Sequence, residues 1–279
     1  MKLSISASTY SSEFGPIVFG GQDTALNLKT IKEFGYEGVD LFANHKTDAE
    51  VEALAELLTD HHLEVAMYLA IYLTETGCKL ADRDEEKRRK AVSEYLKQIE
   101  VGRKLNAINM PIGLLRGGRV QEEPVNRYYD RLARSVYDLL DCAETSNISL
   151  CMEPVNRYEI NTFNRVDEVL EFIEAYNFYS LKVLPDTFHM NIEDDSIEDA
   201  ILAAAGRIGH VHAADSNRLA PGSGHLDYKS IVTALKKTGY DGYLTVEALP
   251  LPDPRSCAKQ GINYLRAIIN NVNRKELDE

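Results

Sequence analysis

The sequence predicts an α/β fold: a (β/α)₈ TIM barrel spanning residues 1–279 as one domain. Three observations predict it. Short apolar runs alternate with amphipathic stretches at a steady beat from one end to the other. No linker, low-complexity segment or shift in composition divides the chain. Single acids or histidines also follow four consecutive strands, each about one βα unit from the next, as a barrel requires of groups meeting at one mouth. An open doubly wound sheet is the competing arrangement, but no GxGxxG or P-loop follows an early strand.

The elements follow in order. Residues 3–9 read as a strand, and 23–34 as a helix with Asp23 as N-cap and Gly35 as stop. A strand at 38–42 leads to a helix at 48–62, where Val51, Leu54, Ala55 and Leu58 form one stripe. The third strand, 65–70, is followed by a long loop and a charged helix at 84–105. Strand 108–112 then leads to the amphipathic helix 124–144. The remaining pairs are strand 148–152 with helix 166–176, 181–184 with 197–205, 210–213 with 228–238, and 243–246 with 256–272.

Composition excludes several classes of function. A charge of −13, with only the short EEKRRK run at 85–90 as a basic cluster, gives no face for nucleic acid. No window approaches the roughly 18 apolar residues of a membrane span. MKLSISASTY has no sustained apolar stretch, so no signal peptide is expected. Cys78, Cys142, Cys151 and Cys257 show no CxxC or zinc-knuckle spacing, which predicts reduced thiols in a cytoplasmic protein. An acidic envelope favours a neutral substrate, or an anionic one gripped by a few local arginines.

The strand ends carry the chemistry. From the fifth strand onward they give Glu153, Asp186, His212 and Glu247. Each alone has an ordinary structural explanation as a cap or ion pair, but four in phase do not. Three carboxylates and one imidazole suit a single divalent ion, Mn²⁺ first with Co²⁺ or Mg²⁺ as alternatives, better than thiolate-seeking Zn²⁺. The loops that follow add Asn156, Arg157, Glu159, His189, Asp215, Asn217 and Arg218, of which His189 and Arg218 are expected to be functional. His225 is expected to orient a loop. His45 has a weak case as a site residue, and His61 and His62 fit a structural role at a helix end.

EPVNRYE, DTFHMNIE, HAADSNRLAPGSGH and VEALP resemble the metal-dependent ketose 3-epimerases, the D-tagatose and D-psicose group of xylose-isomerase-like barrels. The segment at 112–119, IGLLRGGR, is similar to one in the 5-keto-L-gluconate epimerase branch. The resemblance implies that Glu153, Asp186, His212 and Glu247 hold the metal and that Glu153 and Glu247 double as an acid–base pair. It implies that His189 and Arg218 contact substrate oxygens, that Glu159 meets a terminal hydroxyl, and that the protein is a dimer or tetramer. Epimerising C3 of a ketose requires removing a weakly acidic proton beside a carbonyl and returning it on the opposite face. A Lewis acid and paired carboxylates supply what that chemistry needs, through a cis-enediolate. Arg116 and Arg119 in the glycine-rich GLLRGGR are expected to grip an acidic end of the substrate, as in a keto-sugar acid such as 5-keto-L-gluconate.

An aldose–ketose isomerase or an inosose-dehydratase-like lyase could use the same carboxylates. An apurinic endonuclease would need further histidines after the third and fourth strands, which this sequence lacks.

Overall fold

The computed structural model describes residues 1–11, 15–21, 23–44 and 47–275; His45 lies outside them. Eight parallel strands form the expected barrel: β1 (Lys2–Ser8), β2 (Gly38–Phe42), β3 (Glu64–Leu69), β4 (Asn109–Ile112), β5 (Ser149–Met152), β6 (Lys182–Val183), β7 (Val211–Ala213) and β8 (Tyr243–Val246). Regular pairing runs from β6 back through β1 and on to β8 and β7. Between β6 and β7 only single bridges, Val183–Ile208 and Asp186–His212, join the two ends. This seam carries the backbone bonds Val183 N to Arg207 O (2.8 Å), Gly209 N to Val183 O (3.0 Å) and His212 N to Pro185 O (2.9 Å).

The helices are α1 (Thr24–Phe34), α2 (Asp48–Asp60), α3 (Tyr72–Glu75), α4 (Glu85–Lys104), α5 (Val125–Thr145), α6 (Val166–Tyr176), α7 (Thr187–Glu193), α8 (Ile197–Ala203), α9 (Tyr228–Lys237) and α10 (Pro254–Lys275). Asp23 caps α1 by accepting from Leu26 N, and Gly35 ends it in the left-handed conformation, as the residue types predict. Two short helices, α3 and α7, lie in stretches read from sequence as loops. A helix of four or seven residues is too short to show helical periodicity, so packing at the barrel mouth decides it.

Strand alternation sorts the side chains. In β1, Leu3, Ile5 and Ala7 join the main apolar layer beneath the helices, while Ser4 and Ser6 are buried on the other face. A small second cluster of Phe42, Met67, Leu69, Cys151 and Leu184 is separate from that layer. Asp40, His210, His212 and Thr245 are buried and joined by hydrogen bonds.

Candidate active site

The four strand-end residues converge. One donor atom each from Glu153, Asp186, His212 and Glu247 lies within 4.8 Å of all the others. The backbone explains why. Glu153 N bonds Ile112 O (3.3 Å), His212 N bonds Pro185 O (2.9 Å) and Glu247 N bonds Ala213 O (3.3 Å), so each residue is tied by its amide to the end of a neighbouring strand. Asp186 follows Pro185, which has no N–H to extend a ladder. Asp186 also caps α7 by accepting from Phe188 N at 2.7 Å, so the cap and the site role belong to the same carboxylate. Gly113 leaves the room Glu153 needs: a Cβ there would meet Glu153 Oε2 at 2.8 Å.

The centre is strongly negative and shielded from water. Asp186, His212 and Glu247 are buried and Glu153 is nearly so. His212 Nδ1 lies 3.2 Å from Glu153 Oε1 and 3.3 Å from Glu247 Oε2. Burial alone would lower the His212 pKa, but the Glu247 charge and hydrogen bonds to Asp40, Glu153 and Glu247 hold it well above its ordinary value. Burial raises the Glu247 carboxyl above the usual range despite the opposing pull of His212 and Arg218. For Asp186 the balance reverses: desolvation is outweighed by Arg218, His189 and His212, and its pKa is lowered. Three carboxylates and an imidazole in one enclosed space form an oxygen-rich donor set with excess negative charge, which fits a hard or borderline dication.

Arg218 and His189 stand over this centre. Arg218 Nη1 is 3.3 Å from Asp186 Oδ2, Nη2 is 3.5 Å from Glu247 Oε2, and the guanidinium lies 4.4 Å from the centroid of the Phe188 ring. Its backbone is left-handed (φ 62°), which costs a non-glycine residue roughly 1–2 kcal/mol. The surrounding loop holds it there: Arg218 N bonds Asp215 O, and the buried Asp215 carboxylate accepts from Ser216, Gly222 and Leu226 amides. Asp215 is thus a loop organiser. His225 is exposed, with its amide bonded to Ser216 Oγ, and stays outside the site.

Asn156 orients His189. Its Oδ1 accepts from Tyr158 N (3.0 Å), so its Nδ2 donates to Glu159 Oε1 (2.9 Å) and His189 Nδ1 (2.7 Å). His189 Nε2 lies 3.3 Å from Arg218 Nη1 and 3.8 Å from Asp186 Oδ2. Glu153, Glu159, His189, Arg218 and Glu247 line a cleft whose remaining wall is largely apolar, with Leu69, Ile71, Leu114, Leu115 and Val155.

Arg116 does not reach this cleft. It is 0% exposed, and its guanidinium donates to the carbonyls of Gly113 (2.8 Å), Glu153 (3.0 Å), Thr162 (2.8 Å) and Phe163 (3.3 Å). Both Nη groups are committed to the chain's own carbonyls, and the buried Nε meets no partner among the described residues, which corrects the expectation that it grips substrate. Arg119 donates to the carbonyls of Val120, Gln121 and Glu123 and lines an adjoining hollow with Lys79 and Arg157. Sequence reasoning passed over Asp40 and His210, both fully buried. The available signals were an acid inside the apolar strand GVDLF and the His-x-His spacing at 210–212, which puts both rings on one strand face.

Residues 28–268 match the xylose isomerase-like TIM barrel family, and the chain belongs to it. Within that family its relatives include D-psicose 3-epimerases. The one from Ruminiclostridium cellulolyticum is 35% identical over 150 residues, 54% of this chain and 50% of that protein. One from Enterocloster bolteae is 36% identical over 146 residues, 50% of this chain and 48% of that protein. The chain thus spans about half the length of these two curated relatives. The D-psicose 3-epimerase of Agrobacterium fabrum is 27% identical over 250 residues, 85% of this chain and 80% of that protein. A solved structure of an L-ribulose 3-epimerase shares the fold, with a TM-score of 0.85 at 24% identity over 99% of this chain and 96% of the other. Among the described residues, no helix is long and apolar enough to cross a membrane.

Proposed function

We propose that this chain is a divalent-metal-dependent sugar epimerase that inverts C3 of a ketose or keto-sugar acid. The observation that carries the reading is the shared position of Glu153 and Glu247, which line the cleft and also contribute to the four-donor cluster. Bound there by Glu153, Asp186, His212 and Glu247, a cation, Mn²⁺ before Co²⁺ or Mg²⁺, would supply Lewis acidity toward the substrate carbonyl.

The chain's own groups supply the remaining steps. One of the two glutamates takes the C3 proton, and the other returns a proton to the opposite face; their roles exchange when the reaction runs backward. Arg218 donates toward the oxygens on which negative charge grows, and His189 stands beside it. Glu159 faces the far end of the sugar. For an acid substrate, the cations beside that end are Arg119, Lys79 and Arg157 in the adjoining hollow.

The test is isotopic. Mn²⁺-loaded protein is incubated with a panel of ketoses and keto-sugar acids in D₂O, and the deuterium is located by NMR. Label at C3 with both epimers present is expected. Label at C1 or C2 would replace the epimerase with an aldose–ketose isomerase, and loss of a hydroxyl would point to a dehydratase. Metal uptake without label on any compound would overturn the proton-transfer reading.

A further inference from the structure

Below the four candidate ligands lies a second polar group that the reading above does not use. Asp40 Oδ2 sits 2.7 Å from His210 Nε2 and 3.0 Å from His212 Nε2. Thr245 Oγ1 donates to Asp40 Oδ1 at 3.0 Å and meets Ser4 Oγ at 2.5 Å. His210 Nδ1 is buried with no hydrogen-bond partner among the described residues. Asp40, His210 and His212 are close enough to be considered a metal site in their own right.

Their chemistry argues against that. His212 belongs to both clusters, so filling both would require one imidazole to lose both ring protons and bridge two cations. One carboxylate oxygen facing two ring nitrogens at 2.7 and 3.0 Å has hydrogen-bond geometry instead. An ionised carboxylate can only accept, so both Nε2 atoms carry protons.

We infer that Asp40 is a positioning residue for the metal centre. By accepting the His212 Nε2–H, it fixes the ring plane that turns Nδ1 toward Glu153 and Glu247, so that Nδ1, on giving up its proton, would present its lone pair to a bound ion. His210 and Thr245 hold the Asp40 carboxylate in place from its other lone pairs. A carboxylate behind a ligating histidine raises the basicity of the ligand, and its loss typically weakens metal binding by about 10–100-fold. This role rests on the metal reading proposed above.

The test uses metal-free full-length protein, Mn²⁺ titration followed by the EPR signal of the free ion, and ¹⁵N-histidine NMR of the Mg²⁺-loaded form. Asp40→Asn, nearly isosteric, is expected to raise the Mn²⁺ Kd by about 10–100-fold at unchanged stoichiometry. Thr245→Val should raise it by less. In the wild type, His212 should show a protonated Nε2 with a strongly downfield proton, and that proton should move upfield in Asp40→Asn. A folded Asp40→Asn with wild-type Mn²⁺ affinity would overturn the role. If that variant fails to fold, the wild-type spectrum decides: a proton on Nδ1 of His212 would overturn it equally. Wild-type protein that takes up no Mn²⁺ would remove the metal reading and this role with it, whereas wild-type uptake with an indifferent Asp40→Asn removes only the role.

Discussion

Replacing Arg116 with alanine separates two accounts of GLLRGGR, because a substrate clamp and an internal tie fail in different assays. The guanidinium ties the carbonyls of Gly113, Glu153, Thr162 and Phe163, joining the ends of β4 and β5 to the loop before α6. At about 1 kcal/mol net for each hydrogen bond, four bonds amount to about 4 kcal/mol. The 5.6 Å approach to the Phe163 ring adds less than about 1 kcal/mol. Relief of burying the charge works in the opposite direction: burial lowers the Arg116 pKa, which marks a desolvation cost that alanine removes. The expected net loss is about 3–4 kcal/mol, a large share of the roughly 5–15 kcal/mol of a typical fold. The assay is urea unfolding followed by circular dichroism, with the linear extrapolation taken at constant slope. Arg116→Lys should recover little, since one ammonium cannot span carbonyls on three segments. Arg116→Ala with unfolding within about 0.5 kcal/mol of wild type, and a KM raised selectively for acidic ketoses, would refute the tie and restore the clamp.

Three further outcomes follow from the geometry. Burial raises the Asp194 carboxyl to about 6, above its unfolded value near 4, so its contribution to stability is full below pH 4 and lost as pH rises through 6. Asp194→Asn should therefore be more stable than wild type at pH 8, by about 1–2 kcal/mol after allowance for its partial exposure, with the difference vanishing by pH 4 in urea titrations. Asn156→Ala should lower kcat/KM about tenfold with little change in metal affinity, since it releases His189 and Glu159 but no candidate ligand; an unchanged kcat/KM would remove its orienting role. Saturating Mn²⁺ should slow hydrogen exchange at the His212 and Gly209 amides about tenfold or more relative to amides between β2 and β3, because the ion would join Asp186 to His212 across the seam. Equal protection at both places would show that the seam is already closed without it.

Much of the barrel was legible from the sequence because its signals are local. The caps at Asp23 and Gly35 and the apolar stripe of α2 depend on neighbours a few residues away. The bounds shifted where neighbours across the sheet decide: β6 contracts to Lys182–Val183 because regular pairing fails at the seam. Of the site, the four strand-end residues were readable because barrel topology alone brings them together. Arg116 misled because its partners are backbone carbonyls, which leave no trace in residue identity, and two of them lie more than forty positions away. An arginine among glycines looks the same in sequence whether it faces solvent or the interior.

Period-two geometry links the parts that were read to those that were missed. His210 and His212 lie on one face of the β7 segment, and Thr245 and Glu247 on one face of the β8 segment. Each pair places one residue in the upper layer of ligands and one in the layer beneath, where Asp40 and Ser4 meet them from β2 and β1. The candidate metal centre and the polar group beneath it are therefore successive layers of the same barrel interior. A substitution in the lower layer acts on the upper one through His212, whose two nitrogens face one layer each. The Asp inside GVDLF belongs with the strand-end acids: both are polar groups on inward positions of a barrel, and burial of either requires partners across the axis.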